Sequence, residues 1–242
     1  MKTPIALRSF ASPALAVMAL ASATVAPAQA PSCRVPADIP AARAEPAEQR
    51  RVVPIGAHTL ALSWSPEYCR TRGTSERDRL QCGGGMGRFG FVLHGLWPDG
   101  AGSRWPQYCR PARALPDAVV RKHLCMTPSV TLLQHEWAKH GTCMTPGPEP
   151  YFDAAAILYR AIRYPDMNAL SRRPLTARGF AEAFARANPG IAPTMLSIKA
   201  NQRGWLQEVH VCLARNFRPQ ACPAHVRGAA PASELKIWRG RS

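Results

Sequence analysis

The chain has 242 residues, enough for one domain with a substantial core. Its 31 Lys and Arg against 15 Asp and Glu leave a formal charge of +16, which suits a polyanionic partner such as nucleic acid, anionic lipid or acidic glycan, or serves solubility alone. Beyond the first thirty residues no stretch is apolar and long enough to cross a bilayer, which excludes a protein of several membrane-spanning helices.

The first thirty residues read as an export signal. Lys2 and Arg8 form a basic start, and Ala14 to Ala23 is an apolar run too short to span a membrane. Cleavage after Ala23 or Ala28 suits a signal peptidase better than cleavage after Ala30, which Pro31 follows. The signal is therefore taken as residues 1–28, cut somewhere within 23–30, and a periplasmic or secreted protein is expected. An uncleaved anchor is the other reading, against which the segment is weakly hydrophobic. The eight cysteines agree with export: Cys33, Cys69, Cys82, Cys109, Cys125, Cys143, Cys212 and Cys222 form an even set with no CxxC pair. Disulfides fit better than zinc knuckles, and spacing alone leaves about a hundred pairings open.

Residues 31–54 are rich in Pro, Ala and charge, with little periodicity, and read as an extended arm pinned through Cys33. Residues 55–242 read as one domain without internal repeats. His58 to Trp64 is apolar and predicts a strand, Pro66 to Gly87 a loop, Phe89 to His94 a second strand, and Gly95 to Arg110 a long loop. Pro116 to Cys125 has helical spacing, with Pro116 in the first turn. Ser129 caps a central helix running to about Gly141. Tyr151 to Arg163 predicts a helix with Phe152, Ile157, Leu158 and Ile162 inward. Thr176 caps another, with Phe180 and Phe184 on one face and Pro189-Gly190 at its end. Met195 to Ala200, Trp205 to Leu213 and Leu235 to Trp238 read as strands, and Glu208 and His210 alternate with Val209 and Val211 in the middle one. Strands at both ends with helices between predict an α+β fold: a single domain with a central, mostly antiparallel sheet packed with helices and stapled by disulfides.

Two stretches carry chemistry. The first is HEWAKHGTC, His135 to Cys143, with His135, Glu136, Lys139 and His140 inside six consecutive positions. Wound as an α-helix at about 100° per residue, those four fan over roughly 140°, while Trp137 and Ala138 face a core. Gly141 reads as a stop, with Cys143 tying the end down. Zinc is disfavoured, because a metalloprotease helix needs its second histidine at i+4, and here that position is Lys139. No metal and no cofactor is expected. Lysine, glutamate and histidines side by side suit acid–base work on an anion; a solvated charged helix is the equally weighted reading of this stretch alone. The second stretch is FVLHGLWPD, Phe91 to Asp99. His94 ends an apolar strand, Gly95 permits close approach, Trp97 offers a stacking surface, and Asp99 an acceptor. Taken singly, His94 and Trp97 read more readily as core residues.

FVLHGLWPD followed roughly forty residues later by HEWAKHGTC resembles, nearly residue by residue, the two signature segments of the ribonuclease T2 family. Weaker resemblance runs from LALSWSPEYC at Leu60 to LQEVHVCL ending at Leu213, and does not cover the arm before Pro54. The resemblance implies a metal-independent endoribonuclease for single-stranded RNA with little base preference. It implies His94 as general acid, His140 as general base, Glu136 and Lys139 as the pair that steadies the phosphorane, and His135 as phosphate ligand. Trp97 and Asp99 would bind the base on the 5′ side of the cut. It also implies the bridges Cys69–Cys82, Cys109–Cys143 and Cys212–Cys222, which leaves Cys33–Cys125. It departs at Leu132, where many relatives carry an aromatic residue, so it gives no expectation for the 3′-side base. DNA, lacking the 2′-hydroxyl nucleophile, should survive, and a monomer that engages no membrane is expected. The rival from another class is a non-catalytic cationic RNA-binding or toxin-like protein on the same scaffold; such forms usually lack one histidine, and both segments are complete here. A membrane-active protein would need a basic amphipathic helix, and none is seen.

Overall fold

A computed structural model describes residues 33–240 apart from Ala47, Thr74 and Arg227. The export signal read over residues 1–28 lies outside the described residues. In chain order the elements are β1 (Ala57–Trp64), α1 (Ser65–Cys69), α2 (Arg79–Cys82), β2 (Phe91–Asp99) and α3 (Asp117–His123). Then come α4 (Val130–Glu136), a π-helical turn (Trp137–Gly141), α5 (Thr142–Met144), α6 (Pro148–Ala161), α7 (Met167–Leu170), α8 (Ala177–Ala187), β3 (Leu196–Ala200) and β4 (Leu206–Ala214). The strands form one antiparallel sheet in the order β2-β1-β4-β3, with helices packed on it, so the fold is α+β as expected. Among the described residues no helix is long and apolar enough to cross a membrane.

The strands are mostly apolar runs buried over consecutive positions, and their buried side chains are continuous with those of the helices. Leu60, Leu62, Phe91, Leu96 and Val209 are almost wholly buried, in one cluster with Phe152, Phe180 and Phe184. Each such side chain contributes about 1.5–3 kcal/mol by leaving water. α6 lies against β1, β2 and the π turn. Its Tyr151 and Tyr159 donate to the carbonyls of Leu96 and Phe91 at 3.1 and 2.8 Å, so the core side of β2 is pinned by hydrogen bonds as well as by packing.

Several elements differ from the sequence reading. β2 continues to Asp99 through residues read as loop. It is an edge strand, so Pro98 withholds no needed ladder bond. Residues 235–238 are not a strand: they make one isolated bridge, between Lys236 and Trp205. Leu235 donates to Leu175, Lys236 donates to Gly204, and Leu206 donates to Lys236, while Leu235 and Ile237 supply the apolar signal by being buried. Ile157, read as inward on α6, is 69% exposed. It lies five residues beyond Phe152, about 140° off the buried face. Pro116 sits at the N-cap of α3, one position before its first turn. Ser129 and Thr176 do cap their helices, accepting from Leu132 and Gly179. Four disulfides close the structure: Cys33–Cys125, Cys69–Cys82, Cys109–Cys143 and Cys212–Cys222.

Candidate active site

Two devices bring the chemical side chains together. The first is a bulge in β2. Leu62 pairs with Leu93 and Ala61 with Gly95, so His94 is the extra residue, and its ring turns off the ladder. The second is the π turn. The central helix does not wind evenly to Gly141; the Thr142 N–H reaches back to the Trp137 carbonyl, five residues away. A widened turn leaves carbonyls short of helical donors. The Ala138 carbonyl is taken by the Thr142 hydroxyl at 2.8 Å, and that of Lys139 by the Tyr108 N–H at 2.8 Å. The Tyr108 donor comes from the long loop that Cys109–Cys143 ties to this helix. Gly141 is therefore not a stop. The helix runs on to Met144, and a Cβ at 141 would meet the rings of Trp137 and Tyr151.

Gly95 acts the same way between the two devices. A Cβ there would collide with the carboxylate of Glu136 and the indole of Trp97. Without it, Trp97 Nε1–H donates to Glu136 Oε2 at 2.8 Å across the strand. Trp97 is the centre of the cluster. Its ring stacks on His140 with 5.6 Å between centroids, and His94 and His210 stand edge-on to it, each at 5.1 Å.

The surroundings drive the two catalytic candidates in opposite directions. His94 is partly exposed. Its Nδ1 donates to Glu208 Oε1 at 2.6 Å, and Glu136 Oε1 is 3.7 Å from its Nε2. Burial alone would lower the His94 pKa, but the Glu208 hydrogen bond and the charges of Glu136 and Glu208 outweigh it and raise it above the ordinary value. His140 is 6% exposed, and burial together with Lys139, His135 and His94 pushes its pKa well below the ordinary value. Burial raises the Glu136 carboxyl, opposed by His94, the Trp97 hydrogen bond, His135 and Lys139.

The remaining expected residues sit around this centre. Lys139 and His140 line a cavity of about 350 Å³ with Trp97, Asp99, Trp105 and His210. Asp99, at the far end of β2, accepts from the Thr59 hydroxyl at 2.7 Å, and burial raises its pKa. His135 is turned toward the loop and the arm: its Nδ1 lies 2.8 Å from Glu45. Among the described residues no three His, Cys, Asp or Glu side chains gather as metal ligands would.

Sequence reasoning missed Glu208 and Glu45. Glu208 binds His94, His210 at 2.7 Å and the Ser63 hydroxyl at 2.6 Å, and so ties β1, β2 and β4 together at the site. The hydrogen bonds from His210 and His94 overcome its burial and hold its carboxyl far below the usual range. The available signal was Glu208 and His210 two residues apart on one face of a strand whose following residues are apolar.

The model of the Ribonuclease T2 family matches residues 55–222. A probable ribonuclease of Haemophilus influenzae is 36% identical over 72% of this chain and 63% of its own length. A ribonuclease of Aeromonas hydrophila is 35% identical over 64% of this chain and 70% of its own. The match thus spans a little under two thirds of the Haemophilus protein. Among solved structures, trichomaglin, described as an S-like ribonuclease, superposes with a TM-score of 0.60 at 18% identity, over 76% of this chain and 97% of its own.

Proposed function

The chain belongs to the Ribonuclease T2 family, and on that premise we propose that it is an exported endoribonuclease that cuts single-stranded RNA without a metal, with little base preference. The observation that carries the reading is the pair of histidine rings packed against the Trp97 ring, His140 stacked on it and His94 edge-on, with the His94 pKa raised by carboxylate neighbours and the His140 pKa lowered by burial. Cutting RNA through its own 2′-hydroxyl needs one base and one acid at the same phosphodiester. Neutral His140 takes the 2′-hydroxyl proton, and the 2′-oxygen attacks phosphorus. Protonated His94 gives its proton to the departing 5′-oxygen, leaving a 2′,3′-cyclic phosphate. In the second step water opens the ring to a 3′-phosphate, and the two histidines exchange roles. Lys139 and Glu136 flank the phosphorane, whose added negative charge makes a nearby ammonium worth most in the transition state. His135 holds the phosphate, and Trp97 and Asp99 receive the base on the 5′ side of the cut. Four disulfides support export to an oxidising compartment.

The test is digestion of a defined oligoribonucleotide carrying one 2′-deoxy position, with product ends identified. Cleavage is expected everywhere except at the deoxy position, through a cyclic intermediate, and unaffected by a chelator. His94→Ala and His140→Ala should each lose about 10²–10⁴-fold in rate while remaining folded. RNA bound but uncut by the native chain would support the non-catalytic alternative instead.

A further inference from the structure

We propose that the N-terminal arm is part of the active site, and that Glu45 is a positioning residue which holds His135 by Nδ1 and so presents its other ring nitrogen to the phosphate. The proposal rests on the reading of His135 as phosphate ligand, and it concerns a segment outside the family match at 55–222.

The arm is anchored on both sides of Glu45. Toward its start, Cys33 is bonded to Cys125, Arg34 N–H donates to the Met86 carbonyl, and the Arg121 guanidinium donates to the carbonyls of Pro36 and Ala37 at 2.9 and 2.6 Å. Toward its end, Arg51 and Gln107 exchange two backbone hydrogen bonds, and the Gln107 amide donates to Gln49 at 2.6 Å. Between these anchors the chain crosses the catalytic helix. There one oxygen of Glu45, Oε1, lies 2.8 Å from His135 Nδ1 and 3.1 Å from the Tyr108 hydroxyl.

Tyr108 makes this a built contact. The residue is 2% exposed, and its backbone is left-handed at φ 48°, a conformation that persists in a non-glycine residue only where its surroundings impose it. They do so here: its N–H is spent on the π turn, and its neighbour Cys109 is tied to Cys143. The hydroxyl is thus delivered to a fixed point, and the arm brings a carboxylate to meet it.

A carboxylate on one ring nitrogen fixes an imidazole's tautomer and orientation and leaves the other nitrogen as the working one. His94 has the same arrangement through Glu208. Of the three histidines assigned to the phosphate chemistry, His94 and His135 therefore carry a carboxylate on Nδ1. His140, the base, has no hydrogen-bond partner for its Nδ1 among the described residues.

The test compares the native chain with Glu45→Ala, Glu45→Gln and Tyr108→Phe on a dinucleoside monophosphate. Glu45→Ala should raise KM about five- to tenfold, the scale of one net hydrogen bond, with kcat within about twofold. Glu45→Gln, which keeps an acceptor but not the charge, should fall between. Nitrogen NMR of the His135 ring should show the neutral form protonated on Nδ1 in the native chain and not in Glu45→Ala, and adenosine 3′-phosphate should bind the variant more weakly by calorimetry. Unchanged KM and unchanged tautomer would overturn the proposal. So would faster cleavage by Glu45→Ala, which would make the arm a plug. If the native chain cut nothing, the function would be wrong, and the NMR and binding arms would still judge Glu45.

Discussion

Glu208 stands 2.6 Å from Nδ1 of His94, while Nδ1 of His140 is buried with no hydrogen-bond partner among the described residues. The same side chain is raised in pKa at one position by its carboxylate neighbours and lowered at the other by burial and nearby positive charge, and the form that the proposed mechanism requires, His94 protonated with His140 neutral, is the one these opposite shifts favour. Activity should rise as His140 loses its proton on the acid side and fall as His94 loses its own on the alkaline side. Glu208→Gln removes the charge that raises His94. The alkaline limb of kcat/KM should then move to lower pH, with the acid limb in place. An alkaline limb that stays put would mean that Glu208 does not tune the acid. Much of this cluster was legible in the chain, because His94, Trp97, Glu136 and His140 fall in two short stretches. Glu208 read only as strand alternation. Glu45 gave no signal, since a polar arm has no periodicity and its partner lies 90 residues away.

At the scale of elements, the site depends on two local departures from regularity, the bulge at His94 and the π turn from Trp137 to Gly141. Neither follows from hydrophobic period. The α-helical arc drawn through His135 to His140 assumes even winding, and what breaks it is a donor from elsewhere, the Tyr108 N–H. The extent of β2 was missed for a related reason: Gly, Pro and Asp mark loops in general, yet an edge strand tolerates them. Both departures meet at Gly95, over which Glu136 and Trp97 join. Gly95→Ala should force them apart, costing about 1–3 kcal/mol of stability and at least about tenfold in kcat/KM. Gly85→Ala is the control, since a Cβ there meets nothing within 4 Å. Thermal unfolding and initial rates of the two variants decide it. A Gly95→Ala chain as active as Gly85→Ala would show that the close approach is dispensable.

For the whole molecule, two of the disulfides bear on the site as well as on stability: Cys109–Cys143 ties the long loop to the helix of His135 and His140, and Cys33–Cys125 anchors the start of the arm that crosses it. Cys33–Cys125 spans 92 residues, so in the chain-entropy account its loss frees the unfolded chain by a large amount. Replacing both cysteines by Ser should cost about 2–4 kcal/mol. It also releases the first anchor of the arm that carries Glu45, so KM should rise toward the Glu45→Ala value with kcat nearly kept. Cys69–Cys82 spans 13 residues in the α1–α2 loop and touches neither the arm nor His135. Its removal should lower stability and leave KM alone. Stability loss by itself would affect both pairs alike, so a third comparison is needed. In a chain already carrying Glu45→Ala, the Cys33–Cys125 replacement should still cost stability but add nothing further to KM, because two changes acting through one contact are not additive. Unfolding curves, with KM measured where every variant is folded, separate the two effects. Additive KM changes would mean that the disulfide reaches the site by some route other than Glu45.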